Sequence, residues 1–135
     1  MNNPFENILN AGRSTLAAEA RALLSVERNL DESFAKAVEY IHNCRGRLII
    51  TGMGKSGHVA RKIAATLTST GTRAIFLHAA EALHGDLGII APEDVVMALS
   101  YSGETDEVVR VAEYVAANHN TLIAMTGCTT SRLAQ

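Results

Sequence analysis

Hydroxyl-bearing residues clustered at one place in the chain suggest a site for a phosphate group. Ser100, Ser102 and Thr105 lie close together around Gly103, directly before a segment with helical apolar spacing. Each hydroxyl can donate one hydrogen bond to a phosphate oxygen, and the N–H groups at the start of the next helix can donate others. Residues 100–105 are therefore a predicted phosphate-binding loop, although the same hydroxyls also suit a simple helix-capping arrangement.

A second segment, residues 52–58 with the sequence Gly-Met-Gly-Lys-Ser-Gly-His, has the composition of an anion-binding turn. Gly52, Gly54 and Gly57 allow sharp turns and close approach of the backbone to a ligand, and Ser56 adds a hydroxyl. An apolar run precedes the segment and a helical pattern follows it, which predicts a strand, a loop and a helix N-terminus. Together these features predict a phosphate cradle.

Two nucleotide-binding motifs share features with residues 52–58, and both match poorly. The glycine spacing is that of the dinucleotide fingerprint, but the acidic residue expected about 20 positions later does not occur until Glu81. A P-loop would need its first glycine at Ile49. The phosphate cradle is favoured over both, and a purely structural glycine turn is the remaining alternative.

Four apolar segments, at residues 48–50, 74–77, 95–99 and 122–125, predict four strands. The intervening stretches can hold helices, one from about Ser56 to near Gly71 and another after Thr105. This alternation predicts an α/β fold with a parallel sheet and right-handed crossovers. In a sheet of order 2-1-3-4, the loops after strands one and three flank the topological switch point, where ligands bind. Residues 52–58 and 100–105 are therefore expected to face one ligand.

Residues 1–45 predict a pair of helices ahead of the sheet. Residues 4–29 have the pattern of one long helix with an incomplete apolar face, and Asp31 is the predicted N-cap of a second helix. We expect the pair to pack on the sheet or on a second subunit. A helix-turn-helix DNA reader is the sharper alternative, and it is disfavoured because basic residues do not predominate here.

Composition and length exclude several classes of protein. A chain of 135 residues suits one domain, and its net charge of −2 without a basic stripe argues against nucleic acid. No apolar run approaches the roughly 18 residues of a membrane span, and the N-terminus has no signal-peptide pattern. Cys44 and Cys128 lack metal-ligand or redox spacing. We expect a cytoplasmic protein with free thiols and with neither metal nor cofactor.

The C-terminal residues predict that the chain is the N-terminal piece of a longer protein. The fourth strand is followed by Arg132-Leu133-Ala134-Gln135, which has the composition of the first turn of a helix. A parallel sheet needs both faces covered, and one barely started helix would leave one face poorly covered. We therefore expect a single domain over residues 1–135 that is truncated at its C-terminus.

Three segments in order resemble the sugar isomerase (SIS) domain family. Residues 100–105, Ser-x-Ser-Gly-Glu-Thr, resemble the phosphate loop of that family. Residues 52–58, together with Glu-Ala-Leu-His-Gly-Asp-Leu-Gly at 81–88, are similar to segments of one branch, the D-arabinose 5-phosphate isomerases. The resemblance runs from about Gly12 to the last residue. It implies a three-layer α/β sandwich with a five-stranded parallel sheet, of which four strands are present here.

The resemblance also implies a function. It implies a phosphosugar substrate and interconversion of D-ribulose 5-phosphate and D-arabinose 5-phosphate through an enediol, in lipopolysaccharide biosynthesis, by a dimer or tetramer. The implied catalytic residues are Lys55, Glu107 and His84. The implied substrate- and phosphate-binding residues are Gly52, Gly54, Ser56, Gly57, Ser100, Ser102, Gly103 and Thr105. A further glutamate and histidine of the family, and the CBS domains of some members, would lie beyond Gln135.

Two other functions are compatible with the same fold. One is a non-catalytic, phosphosugar-sensing SIS module of the kind found in transcriptional regulators, which carry a basic DNA-binding domain ahead of the SIS fold. The other is a different sugar-phosphate isomerase, against which Lys55 and the His-Gly-Asp segment argue.

Overall fold

The computed structural model describes residues 4–135. Short 3₁₀ turns at Asp86–Ile89 and Arg132–Ala134 accompany its helices and strands. These are α1 (Pro4–Arg28), α2 (Glu32–His42), β1 (Leu48–Gly52), α3 (Gly54–Ser69), β2 (Ala74–His78), α4 (Ala79–Leu83), β3 (Val95–Leu99), α5 (Asp106–Ala117) and β4 (Thr121–Met125). The described residues form two compact units that divide between Lys36 and Ala37.

The four strands form one parallel sheet of order β2-β1-β3-β4, so the predicted order 2-1-3-4 is confirmed. Gly52, the last residue of β1, pairs with His78 on one side and with Leu99 on the other. Those two residues end β2 and β3, respectively. The carboxyl ends of three strands therefore lie level with one another, and the segments that follow them emerge at one edge of the sheet.

Two strands extend further than the sequence predicted. The first continues through Thr51 and Gly52, and the second includes His78. The apolar pattern stops at the first polar or small residue, whereas the backbone pairing continues past it. Thr51 is fully buried despite its hydroxyl, because β1 lies in the middle of the sheet and is covered on both faces.

Two apolar clusters cover the two faces of the sheet and make the fold a three-layer sandwich. One cluster joins Ile49 and Val96 to side chains of α4 and α5, including Val108. The other joins Leu48 and Ile50 to α3. Alternate side chains of a strand point to opposite faces, and β1 and β3 are buried along their whole length. This burial explains why they appear in the sequence as nearly continuous apolar runs.

The start of α3 differs from the sequence prediction, which placed it near Ser56. The helix begins at Gly54, and its first turn is closed by the N–H of Gly57, which donates to the carbonyl of Met53 at 3.0 Å. Residues 54–57 are two glycines, a lysine and a serine, so they carry no apolar signal and the periodicity begins only later. The predicted glycine loop is thus reduced to one residue, Met53, between strand and helix.

Strand β1 and helix α3 pack closely against each other at Gly52 and Gly57. A Cβ atom added to Gly57 would lie 3.0 Å from the carbonyl oxygen of Gly52. A Cβ atom added to Gly52 would lie 3.1 Å from the backbone nitrogen of Gly57 and 3.2 Å from the carbonyl oxygen of Leu99. A Cβ atom at either position would make unusually tight contacts with backbone atoms, so close packing of backbone against backbone favours glycine at both.

At the amino edge of the sheet, a buried carboxylate takes part in hydrogen bonds that link the residues preceding three of the strands. Asp94 is 2% exposed and accepts from the backbone N–H groups of Arg47 at 2.7 Å and Ala91 at 2.9 Å. The side-chain amide of Asn120 donates to the carbonyls of Ala91 at 2.8 Å and Asp94 at 3.2 Å. The residues just before β1, β3 and β4 are thereby joined in one hydrogen-bonded network.

The first unit contains α1 and the start of α2. Asp31 is the N-cap of α2 as predicted, since its carboxylate accepts the backbone N–H of Ser33 at 2.8 Å. The hydroxyl and the N–H of Ser33 together lower the pKa of Asp31. No residue of α1 is buried, and its large apolar side chains are exposed. Within residues 4–135, no helix is long and apolar enough to cross a membrane.

Replacing Thr51 by valine tests the energetic cost of a buried hydroxyl. Thr51 Oγ1 is buried and has no hydrogen-bond partner within residues 4–135, so Thr51→Val should leave the free energy of unfolding unchanged or raise it by about 1 kcal/mol. Thr68→Val is the matched control, because Thr68 Oγ1 donates to the carbonyl of Ala74 at 2.8 Å. This control should lower the free energy by about 1 kcal/mol in urea denaturation. Equal losses in the two variants would contradict the prediction.

Replacing Gly57 by alanine tests the close approach of β1 and α3. Alanine favours helix by up to about 1 kcal/mol over glycine, but the added Cβ would press on the backbone of a buried strand, which cannot yield easily. We expect Gly57→Ala to lower the free energy of unfolding by about 1–3 kcal/mol. In the control Gly12→Ala, the new Cβ has nothing within 4 Å, and stability should be unchanged or slightly higher.

Candidate functional site

Two helix N-termini meet at the carboxyl edge of the sheet. Helix α3 begins two residues after the end of β1, and α5 follows the loop that begins at Ser100. The N-cap residues of the two helices, Met53 and Thr105, form no side-chain capping bond. The first N–H groups of a helix have no partner within the helix and attract anions. Since Gly52 pairs with Leu99, the segments that lead into α3 and α5 leave the sheet at the same level.

The hydroxyls of the predicted phosphate loop bond to one another and to the loop backbone. Ser100, which is 3% exposed, lies 2.9 Å from Thr105 between the two hydroxyl oxygens. It also accepts the N–H of Gly103 at 3.1 Å. Ser102 Oγ accepts the N–H of Glu104 at 3.2 Å. Thr105 therefore does not cap α5 with its side chain, which argues against the simple capping interpretation and leaves the helix N-terminus available to a ligand.

The backbone of this loop turns at Gly103, whose φ is +68°. Residues with a side chain rarely adopt this backbone conformation, because their Cβ atom approaches the neighbouring carbonyl oxygen. Space is also lacking, since an added Cβ would overlap the hydroxyl of Ser131. The turn of this loop therefore requires glycine at position 103, and residues after β4 pack against it.

The structure places Lys55 and Glu107 at equivalent positions of the two helices. Each is the second residue of its helix, Lys55 in α3 and Glu107 in α5. Lys55 is exposed and Glu107 is half-buried. Neither side chain makes a hydrogen bond or ion pair with another residue among 4–135. An ammonium and a carboxylate without partners, each in the first turn of a helix beside the switch point, are free to contact a ligand.

His84 follows β2 and α4 in the chain, at the same carboxyl edge of the sheet. It is exposed and is the C-cap residue of α4, where its N–H donates to the carbonyl of Glu81 at 3.0 Å. Gly85, with φ of +142°, turns the chain immediately afterwards. Ala79 and Ala82 of α4 belong to the same apolar cluster as α5, so packing holds the helix that carries His84. No three His, Cys, Asp or Glu side chains in the described part of the chain are grouped to hold a metal ion.

A cleft beside β2 brings residues of α3 and β2 together with residues of the segment at 81–88. Its volume is about 460 Å³, and a smaller recess that shares part of its lining reaches Gly54 and Gly57. The charged and aromatic side chains that line the cleft are Arg61, Phe76, His78, Glu81 and Asp86. The guanidinium of Arg61 lies 4.4 Å from the centre of the Phe76 ring. These residues belong to α3, β2, α4 and the turn after α4, and no sequence motif joins Arg61 and Phe76 to the segment at 81–88.

Solved structures with the same architecture include enzymes of sugar-phosphate metabolism. An Escherichia coli CFT073 protein in complex with arabinose 5-phosphate superposes with a TM-score of 0.91, at 38% identity, over 99% of this chain and 70% of that chain. Phosphoheptose isomerase GmhA from Neisseria gonorrhoeae superposes with a TM-score of 0.78, at 21% identity, over 94% of this chain and 79% of that chain. At that lower identity, the second likeness shows the fold alone.

Curated relatives share more sequence. The chain is 43% identical over 125 residues to arabinose 5-phosphate isomerase KdsD of Escherichia coli O6:H1, covering 93% of this chain and 38% of the relative. It is 46% identical over 128 residues to arabinose 5-phosphate isomerase GutQ of Escherichia coli K12, covering 95% of this chain and 40% of the relative. The chain thus spans about two fifths of the length of these relatives.

A family model agrees with the fold and with the two relatives. The model that matches describes the SIS domain and covers residues 40–135, which include the whole sheet and every candidate residue described above. On this match, together with the sheet order and the relatives, the chain belongs to the SIS domain family.

Proposed function

We propose that this SIS domain is part of an aldose–ketose isomerase that interconverts D-ribulose 5-phosphate and D-arabinose 5-phosphate. The observation that carries the proposal is the pair of uncapped helix N-termini, each presenting an unbonded catalytic candidate, at the switch point of the sheet. The names of the relatives, and the complex of a similar structure with arabinose 5-phosphate, supply the identity of the sugar.

The phosphate end of the substrate is assigned to residues 100–105 and the start of α5. Ser100 and Thr105 hold their hydroxyls together at 2.9 Å, and rotation of these O–H groups can turn donors toward phosphate oxygens. The helix dipole adds a favourable field for the dianion. Ser56, in the first turn of α3, is the hydroxyl on the opposite side of the site.

The proton transfer is assigned to Glu107. Isomerisation removes a proton from one of the two carbons C1 and C2 and returns it to the other through an enediol, with a compensating proton shift between the oxygens. The reaction therefore needs a base but no external oxidant or cofactor. A well-placed carboxylate base contributes about 10²–10⁴-fold. Glu107 is half-buried and one position from the start of α5, next to the proposed phosphate site.

Lys55 and His84 are assigned to the sugar oxygens. An ammonium group near an enediolate oxygen stabilises negative charge that develops only as the proton leaves. The exposed position of Lys55 in the first turn of α3 suits that role. His84 can donate to a sugar hydroxyl or assist opening of the ring, since a neutral imidazole both donates and accepts hydrogen bonds.

The wider setting of the enzyme is part of the same proposal. We propose a cytoplasmic protein that acts as a dimer or tetramer and supplies arabinose 5-phosphate for lipopolysaccharide synthesis. The side chains of Lys55, His84 and Glu107 have no partner within residues 4–135. They are compatible with an active site completed by further residues, from the same protein or from a neighbouring subunit. Phosphosugar is the proposed ligand of the site in either case.

Turnover by variants of the full-length gene product tests the proposal. Glu107→Gln and Lys55→Ala should each lower kcat for D-ribulose 5-phosphate by at least about 10²-fold. Binding of arabinose 5-phosphate should persist in Glu107→Gln, because the phosphate contacts do not involve this carboxylate. The product is followed by separation of the two pentose phosphates.

Matched controls lie on the same two helices. Glu113→Gln and Lys62→Ala alter exposed residues of α5 and α3 and should keep wild-type turnover within about twofold, since neither residue lies in the first turn of its helix. A wild type that binds the phosphosugar but does not isomerise it would refute the enzyme and support the non-catalytic sensing module. Equal losses in the controls and the test variants would refute the assigned roles.

A further inference from the structure

The segment after β4, residues 126–133, contacts the predicted phosphate loop along its length. The carbonyl of Tyr101 accepts the N–H of Gly127 at 2.9 Å and the hydroxyl of Thr126 at 3.3 Å. The carbonyl of Gly103 accepts the N–H of Leu133 at 3.1 Å. Leu133 is itself 5% exposed and packs in the apolar cluster beneath α5. The loop is therefore fixed from outside by a segment that is anchored in the core.

Ser131 makes the tightest of these contacts. It is 2% exposed, and its hydroxyl and Cβ occupy the space that a side chain on Gly103 would need. The hydroxyl donates to the carbonyl of Cys128 at 2.7 Å. Ser131 is the N-cap of the turn at Arg132–Ala134 but does not cap it with its side chain. Its hydroxyl instead closes the segment on itself and presents a rigid surface to Gly103.

The same segment also engages the acidic side chains that flank the loop. The backbone N–H of Arg132 donates to Glu104 Oε1 at 3.0 Å, and its guanidinium lies 3.3 Å from a carboxylate oxygen of Asp106. Both carboxylates would repel a phosphate dianion if they turned toward it. The bond from the Arg132 N–H holds the Glu104 carboxylate in place, and the Arg132 guanidinium partly neutralises the charge of Asp106. Both effects favour an anion at the N-terminus of α5.

We propose that Ser131 is a positioning residue for the phosphate-binding loop and sets the affinity of the site for a phosphate monoester without touching the ligand. The inference deepens the proposed function and depends on it for the assignment of phosphate to residues 100–105. Ser131 contacts Gly103, and Gly103 donates its N–H to the buried Ser100 hydroxyl. A shift of Ser131 is thus transmitted through one backbone residue to the proposed phosphate donors.

Loss of the Ser131 hydroxyl should loosen the loop before the ligand arrives. Removing one intramolecular hydrogen bond typically shifts an equilibrium by about fivefold. If the free loop is less ordered, part of the free energy of ligand binding is used to order it, and the affinity falls accordingly. The expected loss is therefore about fivefold in Kd. Since only the phosphate end is affected, inorganic phosphate and sugar phosphate should be weakened by the same factor, and kcat at saturation should change little.

The test compares Ser131→Ala with Ser69→Ala in the full-length gene product. Ser69 is a matched control, because its hydroxyl also donates to the carbonyl three residues earlier, that of Thr66, at 2.7 Å, and it lies at the far end of α3. Calorimetry measures Kd for inorganic phosphate and for D-arabinose 5-phosphate. Amide hydrogen exchange of residues 100–105 is followed without ligand. Thr126→Val serves as a second variant should Ser131→Ala fail to fold, since it removes the hydroxyl that donates to Tyr101.

Weaker binding of both ligands by about fivefold, faster exchange of residues 100–105 and an unchanged Ser69→Ala would support the positioning role. Unchanged affinity in Ser131→Ala, or a fall in kcat without a change in Kd, would overturn it. A wild type that binds both ligands but does not isomerise the sugar would overturn only the proposed activity, because this test measures affinity. A wild type that binds neither ligand would overturn both.

Discussion

The structure depends on one close contact between backbones, where the end of β1 meets the first turn of α3 and the end of β3. At Gly52, three segments of main chain lie so close together that an added Cβ atom would be 3.1 to 3.2 Å from backbone atoms. The contact determines where α3 begins and how far α3 lies from β3, the strand that precedes the proposed phosphate-binding loop. The positions of Lys55 and Ser56 relative to the start of the loop at Ser100 therefore follow largely from main-chain packing.

A second property of the site concerns its polar groups. Those of residues 100–105 bond to one another and to the protein behind the loop, whereas those that face the proposed ligand have no partner among the described residues. Helix α5 receives no side-chain cap, yet the loop before it is bonded internally and from behind by residues 126–133. Lys55 and Glu107 have no protein partner among the described residues. Preorganised donors of this kind act strongly because they need not reorient when the ligand binds.

The sequence predicted the sheet well because β1 and β3 are buried on both faces and so appear as apolar runs, and because alternation with helices implies a parallel order. It failed at the start of α3, since the first turn, which contains Lys55 and Gly57, has no large apolar side chain and therefore no apolar periodicity. It also missed the pairing of Gly103 with Ser131. Such contacts join residues far apart in the chain through shape alone, and no spacing rule of a single sequence records them. The cleft around Arg61 and His78 is hidden for the same reason.

The network at Asp94 has a consequence for how this domain can change. It joins the residues that precede β1, β3 and β4 at the edge of the sheet remote from the ligand. Strand register is thus set at one end, while recognition is placed at the other. Loops at the recognition end can be exchanged, lengthened or given new side chains without re-registering the strands. The foldability of the domain and the specificity of the proposed site can therefore be altered by separate sets of substitutions.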